Sequence, residues 1–178
     1  MLDIISIINT YYPEDNQLRH ILMTHSKQVT DFALKLSSYS SLSIDETFVY
    51  EAGMLHDIGI FMTNAPKIQC FGEYPYLCHG YLGAELMRKE GYPRHALVCE
   101  RHTGAGLCKE EIFSLNIPVP IKDMIPVSIE EKLICFADTF YSKSRLDKKK
   151  SLSEARRSIA IHSEEGVKRF DEWCELFL

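Results

Sequence analysis

The sequence contains no Cys-x-x-Cys pair. Its six cysteines, Cys70, Cys78, Cys99, Cys108, Cys135 and Cys174, are scattered along the chain, which argues against a zinc ribbon. No apolar run approaches the length needed to cross a bilayer, and no basic segment followed by a long apolar one opens the chain. The expectation is a cytoplasmic protein with reduced thiols and no membrane partner. A basic surplus is also missing. Twenty Lys and Arg face 25 Asp and Glu, for a net charge of -5 and a pI near 5.8. That balance speaks against a dedicated nucleic-acid binder. It leaves room for a small anionic substrate, because a local pocket can be positive on an acidic protein. Repeats, low-complexity stretches and linkers are absent, and 178 residues with 46% apolar content suffice for one core.

What is present is organised around Glu51-Ala-Gly-Met-Leu-His-Asp-Ile-Gly-Ile60. His56 and Asp57 are adjacent, and Ala52, Met54, Leu55, Ile58 and Ile60 make their flanks read as buried. A buried His-Asp pair is costly unless each group is paired or bound to an ion. Gly53 and Gly59 leave room for close backbone approach.

The surrounding pattern is helical. Residues 2–12 fit a helix or a buried strand, and the later pattern favours helix, ended by Pro13. From about Asn16 to Tyr39, Leu18, Ile21, Leu22, Val29, Phe32, Ala33 and Leu36 have helical spacing. His25 shares their core-facing side; alone it would read as a hydrogen-bonded core histidine. His20 lies on another face. Ser43-Ile-Asp-Glu46 reads as a capping box opening a helix that delivers His56 and Asp57 at its end, where Gly59 can terminate it. Residues 61–78 read as a long aromatic loop. His79 begins a helix whose Gly80 and Gly83 permit close contact. A short helix from His95 to His102 follows, and His95 is placed as a non-ligand. Lys109 to Leu115 is a further helical piece. Ser128-Ile-Glu-Glu131 caps a helix with Asp138 set in its apolar run, where an acid is rarely buried without a partner. Ser151 caps a last helix, with Ala155, Ile159, Ile161, Val167, Phe170 and Trp173 as core candidates. Lys148-Lys149-Lys150 reads as a solvated turn.

The fold expectation is an all-α, single-domain helical bundle over 1–178, with a metal-site core at about 16–146 and a C-terminal helical extension at 151–178. The candidate ligands are His25, His56, Asp57, His79, His102 and Asp138. Imidazoles and carboxylates without thiolate suit Fe, Mn, Zn or Co, and Mg less well. Six protein ligands are too many for one catalytic ion that keeps open positions, and they suit two ions sharing a carboxylate.

The order His, His-Asp, His, His, Asp resembles the HD-domain superfamily of metal-dependent phosphohydrolases, and Ala-Gly-Met-Leu-His-Asp-Ile-Gly is similar to its HDIG-type members. His25-Ser, His79-Gly, Arg101-His-Thr-Gly and Phe136-Ala-Asp138 look like the family's other motifs. The resemblance implies a helical bundle with the site between helices. It implies one metal on His25, His56, Asp57 and Asp138, and a second on His79 and His102 with Asp57 bridging. The ions would be Fe or Mn, with Zn, Co, Ni or Mg as alternatives. The implied activity is hydrolysis of a small phosphorylated metabolite or nucleotide by a metal-bridging hydroxide. The competing readings are a di-iron oxygenase of the same fold and a metal-loaded sensing module. Many HDIG members carry a lysine where this chain has Ile60. Of Arg101, Lys67, Lys143 and Arg145, the favoured replacements are Arg101 and Lys143, placed with Asp57 among the catalytic candidates. The sequence does not give the oligomeric state.

Overall fold

The computed structural model describes residues 2–178. Its helices are α1 Ile4–Tyr11, α2 Gln17–Tyr39, α3 Glu46–Leu55, α4 His79–Lys89, α5 Pro93–Arg101, α6 Lys109–Leu115, α7 Ile129–Asp138, α8 Leu152–Ala160 and α9 Glu164–Phe177. The all-α expectation stands, with one small addition. Residues expected as loop form three short strands, β1 Thr63–Ala65, β2 Cys70–Phe71 and β3 Tyr74–Pro75, in the order β2-β1-β3. β1 pairs antiparallel with β2 (Asn64 opposite Phe71) and parallel with β3 (Thr63 opposite Tyr74). Strands this short give almost no alternation to read.

α2 is the longest element, with 23 residues and the Asn16 side chain capping it at Arg19 N. Its buried stripe runs through Ile21, Leu22, His25, Val29, Ala33 and Leu36, so it touches two apolar clusters. One gathers Val29, Phe48, Leu133 and Phe136 with Phe170 and Trp173 of α9. The other gathers Ile8 of α1, Leu22, Leu55, Ile58, Met87 and Ala96. His25 sits on α2 where one cluster gives way to the other. Two close approaches seat α4 beside the His56-Asp57 turn and against α5. A Cβ on Gly59 would lie 2.4 Å from both Gly83 N and His79 O, and one on Gly80 would lie 2.6 Å from Cys99 O.

Several local expectations are corrected. Asp45, not Ser43, caps α3, its carboxylate accepting from Phe48 N at 3.0 Å. Gly59 ends no helix in a left-handed conformation, because its φ is -86°; its lack of a side chain serves the contact with α4. α5 begins at Pro93, two residues before the expected start, with proline in the first turn where its missing N–H is harmless. Ser128 caps α7, but the Glu131 carboxylate accepts from Val127 N and from Arg101 instead of completing a box. The expected single last helix is two. The chain turns after Ala160, Ser163 restarts it by accepting from Gly166 N at 2.7 Å, and Ile161 is 74% exposed rather than in the core. The lysine run is not simply solvated. Lys148 pairs with Glu154, Lys149 stands 3.1 Å above the Phe32 ring, and Lys150 donates to Thr139 O.

Candidate metal centre

Five helices deliver six side chains to one place. His25 comes from α2, His56 and Asp57 from the turn after α3, and His79 from the start of α4. His102 follows α5, and Asp138 ends α7. His25, His56, Asp57, His79 and His102 are between 0% and 3% exposed. Their atoms form two groups that share one carboxylate. Asp57 Oδ2 lies 3.1 Å from His25 Nε2 and 3.1 Å from His56 Nε2, and Asp138 Oδ1 lies 2.9 Å from His25 Nε2. The other oxygen, Asp57 Oδ1, lies 3.4 Å from His79 Nε2 and 3.3 Å from His102 Nε2. In each group the candidate donor atoms fall within 4.8 Å of one another.

Three of the four rings are oriented by the same local device. His56 Nδ1 meets Gly53 O at 2.6 Å, His79 Nδ1 meets Tyr76 O at 2.7 Å, and His102 Nδ1 meets Cys99 O at 2.8 Å. A carbonyl can only accept, so each Nδ1 donates and each Nε2 faces inward, where it offers a lone pair whenever that nitrogen is unprotonated. His79 Nε2 and His102 Nε2 then face each other at 3.0 Å. Two lone pairs at that distance repel unless a proton or a cation lies between them. Burial pushes the His79 imidazole down to about 3, which disfavours the proton. Around Asp57 the opposite holds. Burial pulls the His56 imidazole down, but the charge of Asp57 and contacts to Asp138 outweigh it and raise the ring to about 10. Asp57 Oδ1 and Asp138 Oδ1 have no hydrogen-bond partner. Buried acceptors without donors are costly, and this donor set of imidazole and carboxylate suits divalent metal ions.

Lys143 adds an ammonium paired directly with the cluster. Its Nζ lies 2.6 Å from Asp57 Oδ2, with the side chain 9% exposed. Burial opposes its charge, yet Asp57, Tyr76 and Asp138 hold it well above the usual lysine range. Arg101 is not brought in. Its Nη1 donates to Glu131 at 2.8 Å, and among the described residues it makes no hydrogen bond or ion pair with the six. Lys67 shares a cavity of about 200 Å³ with Lys143 and Tyr76, whereas Arg145 is exposed. His95 bonds to Glu51 at 3.2 Å, away from the cluster, and His20 is exposed. The sequence carried no signal for the three orienting carbonyls, because every residue has a main-chain oxygen three positions before it and Gly53, Tyr76 and Cys99 share no side-chain feature.

The family model described as "HD domain" matches residues 22–143, a span that begins before His25 and ends at Lys143. The chain belongs to the HD-domain family. Among curated relatives, an uncharacterised protein of Methanocaldococcus jannaschii is 34% identical over 121 residues, 66% of this chain and 64% of its own length. A tRNA (cytidine(56)-2'-O)-methyltransferase of Picrophilus torridus is 30% identical over 85% of this chain but 43% of its own length. This HD chain therefore spans under two thirds of the curated relatives it matches, and the second of them is named for methyl transfer rather than hydrolysis. Among solved structures, the HD domain of the Listeria monocytogenes phosphodiesterase PgpH aligns at a TM-score of 0.55 with 14% identity, covering 97% of this chain and 95% of that one. Its complex with cyclic-di-AMP aligns at 0.53, with 15% identity, covering 96% of this chain and 92% of that one. These likenesses establish the shared fold. Among the described residues no helix is long and apolar enough to cross a membrane.

Proposed function

We propose that this HD domain is a metal-dependent phosphohydrolase with two divalent ions, Fe or Mn in preference, acting on a small phosphorylated molecule, a nucleotide in preference. The observation that carries the reading is the division of Asp57, one oxygen toward His25 and His56 and the other toward His79 and His102. His25, His56, Asp57 and Asp138 would hold one ion, and Asp57, His79 and His102 the other. Bound there, such a pair lowers the pKa of water and neutralises phosphoryl oxygens as they gain charge.

The chain's own residues do the rest. Asp57 fixes the spacing of the two groups. The carbonyl-anchored imidazoles keep each Nε2 aimed inward without reorganisation. Lys143 partly balances Asp57 and, being an ammonium with three donors and one acidic partner, has donors left for a phosphoryl oxygen. It takes the part left open by Ile60. Arg101 is assigned a positioning role instead, bracing the end of α5 beside His102 through Glu131. The portion shared with the tRNA methyltransferase relatives supports including RNA-derived nucleotides among test substrates. A cyclic dinucleotide belongs in the same panel because the PgpH HD domain binds one.

The test is elemental analysis of freshly purified protein, followed by a phosphatase and phosphodiesterase screen with and without air. Asp57→Asn is expected to lose metal and turnover together, and unchanged metal content in that variant would contradict the bridging assignment. Activity that requires oxygen and releases no phosphate would instead identify an oxygenase.

A further inference from the structure

A cavity of about 750 Å³ opens beside the metal centre, with Asp138 in its wall. That volume lies within the roughly 300–1,000 Å³ usual for small-molecule sites. Part of its wall lies outside residues 22–143, the span of the family match. Lys150, Ser158 and Ile159 enter from α8 and the joint before it, facing Leu107 and Ser114 from the α6 side. We propose that this cavity holds the organic part of the substrate and selects a nucleoside monophosphate, with its phosphate toward Asp138 and Lys150 and its base toward α6. The proposal rests on the hydrolase reading and narrows it.

The charge order of the cavity carries the inference. Lys150 is half-buried, and Nζ donates to two neutral acceptors, Thr139 O at 3.0 Å and Ser158 Oγ at 3.4 Å. An ammonium has three donors, so one N–H remains. Thr139 directly follows Asp138, which places that ammonium at the metal end. Lys143 and Arg101 are paired with carboxylates, while Lys150 forms no ion pair among the described residues. Burial pulls its charge below the usual lysine range, and the charge of Asp138 opposes that shift without reversing it. Among the described residues no other Lys or Arg lines the cavity; His162 stands at its α8 end, and Glu110 and Glu111 stand in its wall. A second phosphate in the cavity would face carboxylates whose cationic neighbours, Lys109 at 3.7 Å from Glu110 and Arg169 at 3.9 Å from Glu111, are already engaged by them. The apolar surface of Leu77, Leu107, Leu115, Tyr141 and Ile159 suits a flat ring. A sugar phosphate would leave that surface wet, and an acyl chain would strip water from Glu110 and Ser114. Glu110, exposed on α6, can accept from an exocyclic amine.

The test is binding, read by calorimetry on the full metal-loaded chain with AMP, UMP and adenosine as probes. Ser114 is exposed and its hydroxyl only folds back onto Glu110 O, so Ser114→Trp fills the cavity from a position that tolerates bulk. It is expected to weaken AMP and adenosine alike by about tenfold or more. Lys150→Met is expected to weaken AMP by about tenfold, one charged hydrogen bond, and to leave adenosine unchanged. AMP should bind more tightly than UMP, which lacks the amine. Indifference of AMP to both variants, or no AMP binding at roughly 1 mM, would overturn the proposal. The two readings fail separately. Binding with these dependences but no hydrolysis of any phosphate ester sinks the hydrolase and spares the pocket. Hydrolysis with AMP binding insensitive to both variants does the reverse.

Discussion

Gly59→Ala tests how the two metal groups are held in register. The added Cβ would lie 2.4 Å from Gly83 N and from His79 O. Both are backbone atoms of α4, so no side-chain rotation relieves the clash. Reaching even a tight contact requires α4 and the His56-Asp57 turn to separate by about 0.6 Å. Metal–ligand distances tolerate only about 0.2 Å, and α4 carries His79. The substitution should therefore remove the ion shared by Asp57, His79 and His102 while the group around His25 and Asp138 keeps its own. Overpacking of this kind costs about 1–3 kcal/mol, and each kcal/mol lowers Tm by about 2–4 °C in a domain of this size. Gly83→Ala is the graded control. Its Cβ would meet Gly59 N at 3.2 Å and an Ile58 methyl at 3.3 Å, so its effect should be smaller on both readouts. The assay is metal per chain by elemental analysis, with melting after chelation to separate the cost to the fold from metal loss. A Gly59→Ala protein with two ions per chain and an unchanged Tm would refute the reasoning.

Metal uptake by chelated protein near pH 7 should release protons, because the proton raised to about 10 on His56 must leave when its nitrogen becomes a ligand; a binding heat independent of the buffer's ionisation enthalpy would contradict this. Burial pushes the Glu100 carboxyl up, but hydrogen bonds from Lys122 and Arg88 outweigh it and hold it below 4.5. A depressed carboxylate contributes stability that is present above the unfolded value and lost as pH falls through the folded one. Glu100→Gln should therefore flatten the acid side of the stability profile below about 4.5, read by urea melts at stepped pH. Arg101→Ala and Glu131→Gln should be non-additive in a double-mutant cycle, since each removes the same contact; full additivity would release Arg101 for another role. Phe136→Ala, in a fully buried ring packed on Phe140, Phe170 and Phe177, should cost about 3–5 kcal/mol, and a loss under 1 kcal/mol in denaturant titration would contradict its central place.

His56, Asp57 and Asp138 were legible because burying a histidine or an acid in an apolar run is costly, whereas His25, His79 and His102 were legible only through the order of motifs that they share with the HD family. The longer helices were legible from periodicity, since α2, α4 and α7 carry regular apolar stripes. What escaped was set by local chemistry or by distant partners. Ser163 followed by Glu164 and Glu165 is a helix-start signal, yet the apolar residues on both sides read as one stripe and hid the break before α9. The three strands are too short for periodicity, and their pairing depends on the turns around Gln69. Arg101 looked free because its neighbour in sequence is His102; its partner Glu131 lies 30 residues away. Lys150 looked like part of a solvated run because nothing in its own segment reveals a cavity built by α6.

The anchoring of His56, His79 and His102 on main-chain oxygens has a wider consequence. A peptide carbonyl survives every amino-acid replacement, so no substitution at Gly53, Tyr76 or Cys99 removes the group that turns each ring. Only a change that uncoils the local turn can do so. The residues around the cluster can therefore drift, altering which molecules enter, while the aim of the imidazoles is inherited intact.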